Sequence, residues 1–581
     1  MTTVYADTYG FNSDDATTAL QSAINDSTAD KIIVRNMGNP WLISETIFLN
    51  SNKEIDFEPG VVVRAKSGTF LTNTKPLFRA LSLDNVKLVG QGEGADRATL
   101  SMNKDEYTDN SSSGNQYGHI IDINGTNNYV VSGLTITGAG GDGININGAD
   151  YNDPLYADKR TYSENGLIEN VTLDNNRRQG MSVISAKGLV VQNSRFINTS
   201  GVEPSSGIDF EPDYNYQTLQ NIQLSNVYVN VNNGDGISFA FTQLDNSSPS
   251  VSIDINGATV DRNNSGINVG TYPSSAHPNS NSADSTPNGT INISNTTITG
   301  TTGTRLVENQ PSAAIAIDAL SGDRSDPNNL KVNFDNVSIS DTANTQFLTN
   351  PIAIRGFGGE NNRQQVGNMS FNNVTVSDNF NRDIFNAWLG RADGYLSNVS
   401  GNITGINPNG VTSNFSNGTT APQDFSLTVT NGTATPTTPT TTASLTLVNS
   451  TFDNGLTGWY PFNNDVSVVN RSGGSNWVKI AASGGGLDQD VTGDIVTGQS
   501  YIVGGTAQLS QTNDVGLFGV LFKDASGKIT DIESINVTDS TSQYFQLGFT
   551  APTNFAEAKI FAYKDAGTAD LFIDDFSLFK Q

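Results

Sequence analysis

The sequence predicts an all-β chain: a right-handed parallel β-helix followed by a β-sandwich of jelly-roll type. Three observations predict it. Short strand-like repeats recur at a near-constant interval over the first 430 residues or so, a Thr/Pro-rich run interrupts the chain, and a block with a different strand pattern follows. The resulting division is a β-helix over residues 1–432, a linker over 433–444 and a β-sandwich over 445–581.

Composition agrees. Of 581 residues, 35% are apolar and 15% charged, with the balance rich in Gly, Asn, Ser and Thr, which suits many short strands joined by tight polar turns. The net charge of −27 would repel phosphate, so no nucleic-acid partner is expected. There is no cysteine, which excludes disulfides, thiolate metal sites and a cysteine nucleophile. No stretch approaches 18 apolar residues, so no membrane insertion is expected. No signal peptide is visible, yet the remaining features have an extracellular character. The expectation is a monomer that is secreted or held at the cell surface.

The first element is helical. Asp14 or Asp15 caps a segment in which Ala16, Leu20, Ala23 and Ile24 share one face. Two strand patterns then alternate. One opens on Asn, as in Asn170-Val171-Thr172-Leu173, Asn193-Ser194-Arg195-Phe196, Asn226-Val227-Tyr228-Val229, Asn295-Thr296-Thr297-Ile298, Asn336-Val337-Ser338-Ile339 and Asn373-Val374-Thr375-Val376. The other opens on a small residue, as in Gly143-Ile144-Asn145-Ile146, Gly180-Met181-Ser182-Val183, Gly207-Ile208-Asp209-Phe210, Gly236-Ile237-Ser238-Phe239 and Gly266-Ile267-Asn268-Val269. The spacings between these glycines are 37, 27, 29 and 30 residues. Each period holds two or three strands and no helix, which argues against helical solenoids and against four-stranded propeller blades. One coil per repeat satisfies the pattern, with parallel strands about 4.8 Å apart and Asn stacked at the same turn of successive coils.

At this point a resemblance becomes specific. Asp7-Thr8-Tyr9-Gly10-Phe11-Asn12-Ser13-Asp14-Asp15, followed by the Ala/Leu/Ile helix, resembles the start of pectate-lyase-like β-helix proteins. The resemblance covers about residues 1–430 and implies that this segment caps the N-terminal end of the β-helix. The superfamily includes hydrolases, lyases, epimerases and phage tailspikes, so the resemblance implies the fold and leaves the reaction open.

The run Thr433-Ala434-Thr435-Pro436-Thr437-Thr438-Pro439 is a semi-extended spacer. Beyond it, Leu445-Thr446-Leu447-Val448-Asn449, Phe452-Asp453-Asn454-Gly455-Leu456-Thr457-Gly458-Trp459 and the closing Leu571-Phe572-Ile573-Asp574-Asp575-Phe576 resemble jelly-roll carbohydrate-binding modules. The resemblance implies sugar stacking by aromatic residues, with Trp459, Trp477, Tyr460 and Tyr563 as candidates; Trp459 reads equally well as part of the module's own core. It also implies a structural Ca²⁺ at Asp574 and Asp575; no other cofactor is required.

Chemistry is expected on an outward strand face. Aligning the small-residue repeats gives an outward row of Asn145, Ser182, Asp209, Ser238 and Asn268, with Glu211 two residues after Asp209. Residues i and i+2 of a strand face the same way, roughly 6.5–7 Å apart at Cα. Asp209 and Glu211 are therefore the expected acid and base of a glycoside hydrolase, and the spacing favours inversion. Asp142 and Asp235 take equivalent turn positions on neighbouring coils and join the catalytic candidates. Arg177, Arg178 and Gln179 form a basic spot one coil earlier, and Tyr156, Tyr214 and Tyr216 lie in flanking loops; these are the substrate-binding candidates. The competing readings are a lyase or C5-epimerase on a uronan, with Arg177 or Arg178 at the substrate carboxylate, and a non-enzymatic, tailspike-like glycan binder. The two histidines, His119 and His277, argue against a His-centred triad, and His119 is a minor candidate. The Asn-Thr-Asp, Asp-Asp and Gly-His-Gly series expected of polygalacturonases is absent, as is the Tyr-Asp-Gly-His segment of alginate epimerases.

Overall fold

Strands too short to be stable alone acquire stability here by stacking on the same strand of the next coil. The computed structural model describes the chain apart from residues 1, 72–74, 93–95, 108–115, 150–159, 271–286, 308–309, 320–328, 357–364, 379, 381, 389–394, 407–412, 415–422, 432–443, 446, 451, 453, 463–464, 471–475, 512–513, 539, 541–542, 553 and 581. It divides into two compact units, residues 1–434 and 435–581.

The first unit is a parallel β-helix. One face is a 12-stranded sheet, one strand per coil, and the other faces form a 24-stranded sheet. The strand pairings between coils are parallel, with a register shift between Phe371 and Val374; Ile144, Asn145 and Ile146 lie beside Met181, Ser182 and Val183, which lie beside Ile208, Asp209 and Phe210. Alternate side chains point inward and stack on their equivalents, as Phe210 does on Phe239 with ring centroids 4.9 Å apart. The resulting core is one continuous apolar column from Ala6 to Leu427.

Two sequence features set the coil geometry. Asn170, Asn193, Asn226, Asn295, Asn336, Asn373 and Asn398 all adopt positive φ, which Asn tolerates better than most residues. Their amides bond from coil to coil: Asn226 Nδ2 to Asn193 Oδ1 at 2.8 Å, Asn336 Nδ2 to Asn295 Oδ1 at 2.7 Å, and Asn373 Nδ2 to Asn336 Oδ1 at 3.0 Å. The small residue of the other repeat is a close approach. A Cβ on Gly207 would lie 2.4 Å from Val229 Cγ1 and 2.8 Å from the Gly236 carbonyl oxygen.

The open N-terminal end is covered by the helix Thr17–Asn25, which buries Ala19, Leu20, Ala23 and Ile24. Ala16 is buried with them and is the N-cap residue, without a side-chain cap bond; neither Asp14 nor Asp15 takes that position, and Asp15 Oδ1 accepts the Thr17 N–H at 3.1 Å from one residue further out.

The second unit packs an antiparallel six-stranded sheet and an antiparallel five-stranded sheet around its own core, which includes Phe452, Trp459, Tyr501, Phe518 and Phe576. The expected linker lies outside the described residues.

Candidate active site

Backbone register builds the site. On the 12-stranded face the outward row runs Asp122, Asn145, Ser182, Asp209, Ser238 and Asn268. The Glu211 N–H donates to the Val183 carbonyl at 3.2 Å, which carries the ladder one step beyond the Ile208–Phe210 strand. A second row occupies the turn before each strand. The N–H groups of Leu77, Ile120, Gly143, Gly180 and Gly207 donate to the carbonyls of His119, Asp142, Gln179, Ser206 and Asp235 in turn, so these five residues stack on successive coils.

Ionic contacts tie the rows together. Arg178 Nη2 is 2.7 Å from Glu211 Oε2, and its Nη1 is 3.4 Å from Asp142 Oδ2. Gln179 Nε2 donates to Asp209 Oδ2 at 2.5 Å and reaches Glu211 Oε2 at 3.5 Å. Ser182 Oγ donates to Asp142 Oδ2 at 2.9 Å, and His119 Nδ1 lies 3.2 Å from the same oxygen. His119 Nδ1 also accepts the Asp142 N–H at 3.2 Å. Burial alone would raise the Asp142 carboxyl, but the charge of Arg178 leads the opposing effects, with the hydrogen bond from Ser182 beside it, and the group lies below the usual carboxylate range.

Two other acids move the opposite way. Desolvation, reinforced by the charge of Glu211 and opposed by Arg178, pushes Asp213 up to about 6. Its side chain nevertheless stays exposed, just past Pro212. Burial pushes Asp235 up to about 6 as well; Asn268 and Ser265 oppose the shift and Asp318 adds to it.

The structure brings together Asp142, Arg178, Gln179, Asp209 and Glu211 as the spacing predicts. Their exposure differs. Asp209 is only 1% exposed and sits against Gln179, whereas Glu211 and Asp213 reach the surface. Arg177 is buried, with its Nη1 3.4 Å from the Gly140 carbonyl, so it does not join Arg178 beside the acids. Tyr214 and Tyr216 stack on each other at 5.3 Å directly after the acids. Tyr156 lies outside the described residues.

In the second unit the expected sugar-stacking role of Trp459 is overturned. Its ring is 3% exposed, packs against Phe452 and Phe576, and donates Nε1–H to the Val448 carbonyl at 3.1 Å. Tyr460 and Phe462 are the exposed aromatics there, and Phe462 stacks on Tyr563 at 6.2 Å. Asp574 is buried in the last strand, and the Asp575 side chain lies outside the described residues. Among the described residues no three His, Asp or Glu side chains gather as a metal site, at Asp574 or elsewhere.

Sequence reasoning passed over Asp213 and undervalued His119. Asp213 follows a proline that ends the alternating pattern, so counting outward positions stops before it. His119 belongs to the Asp142 row only through register with a coil whose strand, Ile121–Asn124, lacks the small-residue signature.

Comparison with known proteins gives a coherent result. Residues 444–567 match the family model described as a carbohydrate binding domain. A solved "Family 16 Carbohydrate Binding Module-2" is 26% identical, with a TM-score of 0.21, over 23% of this chain and 97% of its own. The catalytic unit of a GH87 α-1,3-glucanase from Streptomyces thermodiastaticus strain HF3-3 is 15% identical, with a TM-score of 0.50, over 74% of this chain and 69% of its own. The A-module of the Azotobacter vinelandii mannuronan C-5 epimerase AlgE6 is 13% identical, with a TM-score of 0.49, over 74% of this chain and 99% of its own. At these identities the likeness is one of fold. No curated protein matches the sequence. The chain is a parallel β-helix protein with a carbohydrate-binding domain at residues 444–567.

Proposed function

We propose that the chain is a polysaccharide-acting glycoside hydrolase in which Glu211 and Asp213 are the reacting carboxylates. One observation carries the reading. Two residues apart, Glu211 is ion-paired with Arg178 at 2.7 Å, while Arg178 only partly offsets the desolvation and the Glu211 charge that push Asp213 up to about 6. Acid–base pairs are made by environments that separate two carboxyl groups in this way. Glu211 takes a proton from water as the water attacks the anomeric carbon, and Asp213 gives its proton to the leaving glycosidic oxygen. Gln179, bonded to Asp209, also reaches Glu211 Oε2, and the Tyr214–Tyr216 stack offers an apolar face beside the scissile bond. Pro212 and Asp213 lie past the Ile208–Phe210 strand, so strand alternation does not set the separation of the two acids; inversion, which needs about 6.5–9.5 Å between carboxyl groups, is the expectation that the product test decides.

The match at residues 444–567 supports a polysaccharide as the ligand of the whole chain. The test is to incubate the protein with polysaccharides and follow reducing ends, absorbance of unsaturated uronates and the anomeric configuration of the first product by proton NMR. New reducing ends with an inverted anomer are expected. Unsaturated products would replace this reading with a lyase.

A further inference from the structure

The outward row that runs from Asp122 to Asn268 continues towards the N-terminal end of the β-helix. Register carries it through Arg79 to Phe48, whose strand Ile47–Phe48 ends the 12-stranded sheet. Five coil steps separate Phe48 from Asp209, about 24 Å along the axis at about 4.8 Å per step. The other positions of the row as far as Asn268 hold Arg, Asp, Asn or Ser, so no column of rings calls for an aromatic side chain at Phe48. Its side chain is 54% exposed. One exposed phenylalanine needs no explanation by itself, but the surroundings of this one do. Gln21 of the capping helix holds its backbone from the side on which the sheet has no further strand. Gln21 Oε1 accepts the Phe48 N–H at 2.8 Å, and Gln21 Nε2 donates to the Phe48 carbonyl at 2.9 Å. The side-chain amide takes the place of a preceding strand and fixes the backbone from which the ring projects.

A groove of about 450 Å³ opens between the helix and the segment 45–48, a volume that suits a small ligand. Its walls combine Phe48 with the hydroxyl, amide and carboxylate groups of Thr18, Ser22, Asn25 and Glu45. Some of these polar groups are fixed in place. Lys75 Nζ bonds both Glu45 carboxylate oxygens, at 2.9 and 2.8 Å, and Asn25 Oδ1 accepts from Gln21 at 3.1 Å and from Asn50 at 3.0 Å. A ring bordered by donors and acceptors suits a sugar, which presents an apolar C–H face and a rim of hydroxyl groups. The way from this groove to the reacting acids is open. Two residues beyond the buried row, Leu81, Asn124 and Asn147 lie side by side and are partly exposed, and the partly exposed Glu211 follows two coils further on.

We propose that Phe48 and the groove beside it form a distal subsite for a sugar ring of the same polysaccharide chain that is cleaved at Glu211 and Asp213, so that chains of several sugar units are favoured over short ones. The position of the cut rests on the hydrolase reading above; the subsite does not.

The test gives the full-length protein and its Phe48→Ala and Phe48→Tyr variants β-glucan, xylan, galactomannan, polygalacturonate and alginate. Cleavage is followed as reducing ends and as absorbance of unsaturated uronates, and binding as retardation in gels that contain each polymer. Oligosaccharides of graded length, prepared from the polymer cleaved fastest, then give kcat/KM against chain length. In the parent protein kcat/KM should climb with length until the chain reaches the groove. Phe48→Ala should lower it about 3–10-fold for long chains, through KM, and leave short ones unchanged, as expected for one lost ring contact. Phe48→Tyr keeps a ring and should restore most of the loss. Equal values for Phe48→Ala and the parent at every length would overturn the subsite and leave the hydrolase reading standing. A uniform loss that includes the shortest chains would overturn it as well, since it would report a damaged fold. Unsaturated products with the length effect present would overturn the hydrolase reading and keep the subsite. If no polymer is cleaved, the hydrolase reading falls and retardation decides the rest: weaker retardation of Phe48→Ala than of Phe48→Tyr keeps the subsite, and equal retardation removes it.

Discussion

The proposed mechanism gives Asp213 the part that strand alternation suggested for Asp209, and the difference has a physical cause. Strand alternation correctly places Asp209 outward, but it says nothing of what the preceding coil lays over it. Gln179, 30 residues earlier, covers it. Inter-coil contacts of this kind are invisible to a local pattern, whereas the row itself was legible because the glycines mark its register. The roles predict distinct losses. Glu211→Gln keeps shape but removes the base and should cost about 10²–10⁴ in kcat with KM little changed. Asp213→Asn should cost a similar factor, and the pH profile separates the two. Asp213 works protonated, so the rate of the parent protein should fall as pH rises above about 6, and this alkaline limb should vanish from the residual activity of Asp213→Asn. An unchanged limb would remove Asp213 from the mechanism. Asp209→Asn, which retains an acceptor for Gln179, should cost less than either. Asp235 gives a stability counterpart. Its carboxyl is raised from 3.8 to about 6, so the folded state binds the proton more tightly than the unfolded one. Stability on this account is fully present below about pH 4 and is lost as pH rises through 6, by roughly 3 kcal/mol at most. Urea titrations at pH 4 and 7 should show this difference shrinking in Asp235→Asn.

At the scale of the coil, two residue types divide the labour. Asn supplies the positive-φ turn and an amide ladder on one corner; Gly permits close approach at the other. Both requirements recur over many of the described coils, so both surfaced as sequence periodicity, and the element order followed from them. The Ile121–Asn124 coil breaks the small-residue pattern, having Ile120 where later coils have Gly, and that single departure hid His119. The glycine requirement can be measured. Gly207→Ala would bring a methyl group to 2.4 Å from Val229 Cγ1, 2.8 Å from Asn232 Nδ2 and 2.8 Å from the Gly236 carbonyl. The backbone and Asn232 cannot retreat without opening the ladder, so overpacking should cost about 1–3 kcal/mol. Thermal unfolding of the β-helix should shift downward accordingly, and, because Gly207 directly precedes the Ile208–Phe210 strand, kcat should fall with it. Gly493→Ala in the second unit meets nothing within 4 Å and serves as the neutral control.

At the scale of the whole molecule, each unit has what an independent domain needs. The β-helix core and the sandwich core share no residue, and the 12-stranded and 24-stranded sheets contain no strand beyond Gln423–Asn431. The reacting acids, their arginine and the glutamine that holds them all come from coils between Asp142 and Asp213, so nothing in the proposed chemistry draws on residues after 434. The matched carbohydrate-binding domain would then contribute by raising the local concentration of polymer at the cleft, an effect that depends on the ligand being long enough or immobile enough to engage both units. A chain ending at residue 434 should therefore unfold with the same midpoint as the β-helix transition of the full protein. It should cleave soluble oligosaccharides with unchanged kcat and KM, and lose rate chiefly on insoluble or high-molecular-weight polymer at low substrate loading. Equal losses on short and long substrates would show that residues 435–581 complete the cleft itself, and the separation of binding from chemistry argued from the two cores would fall.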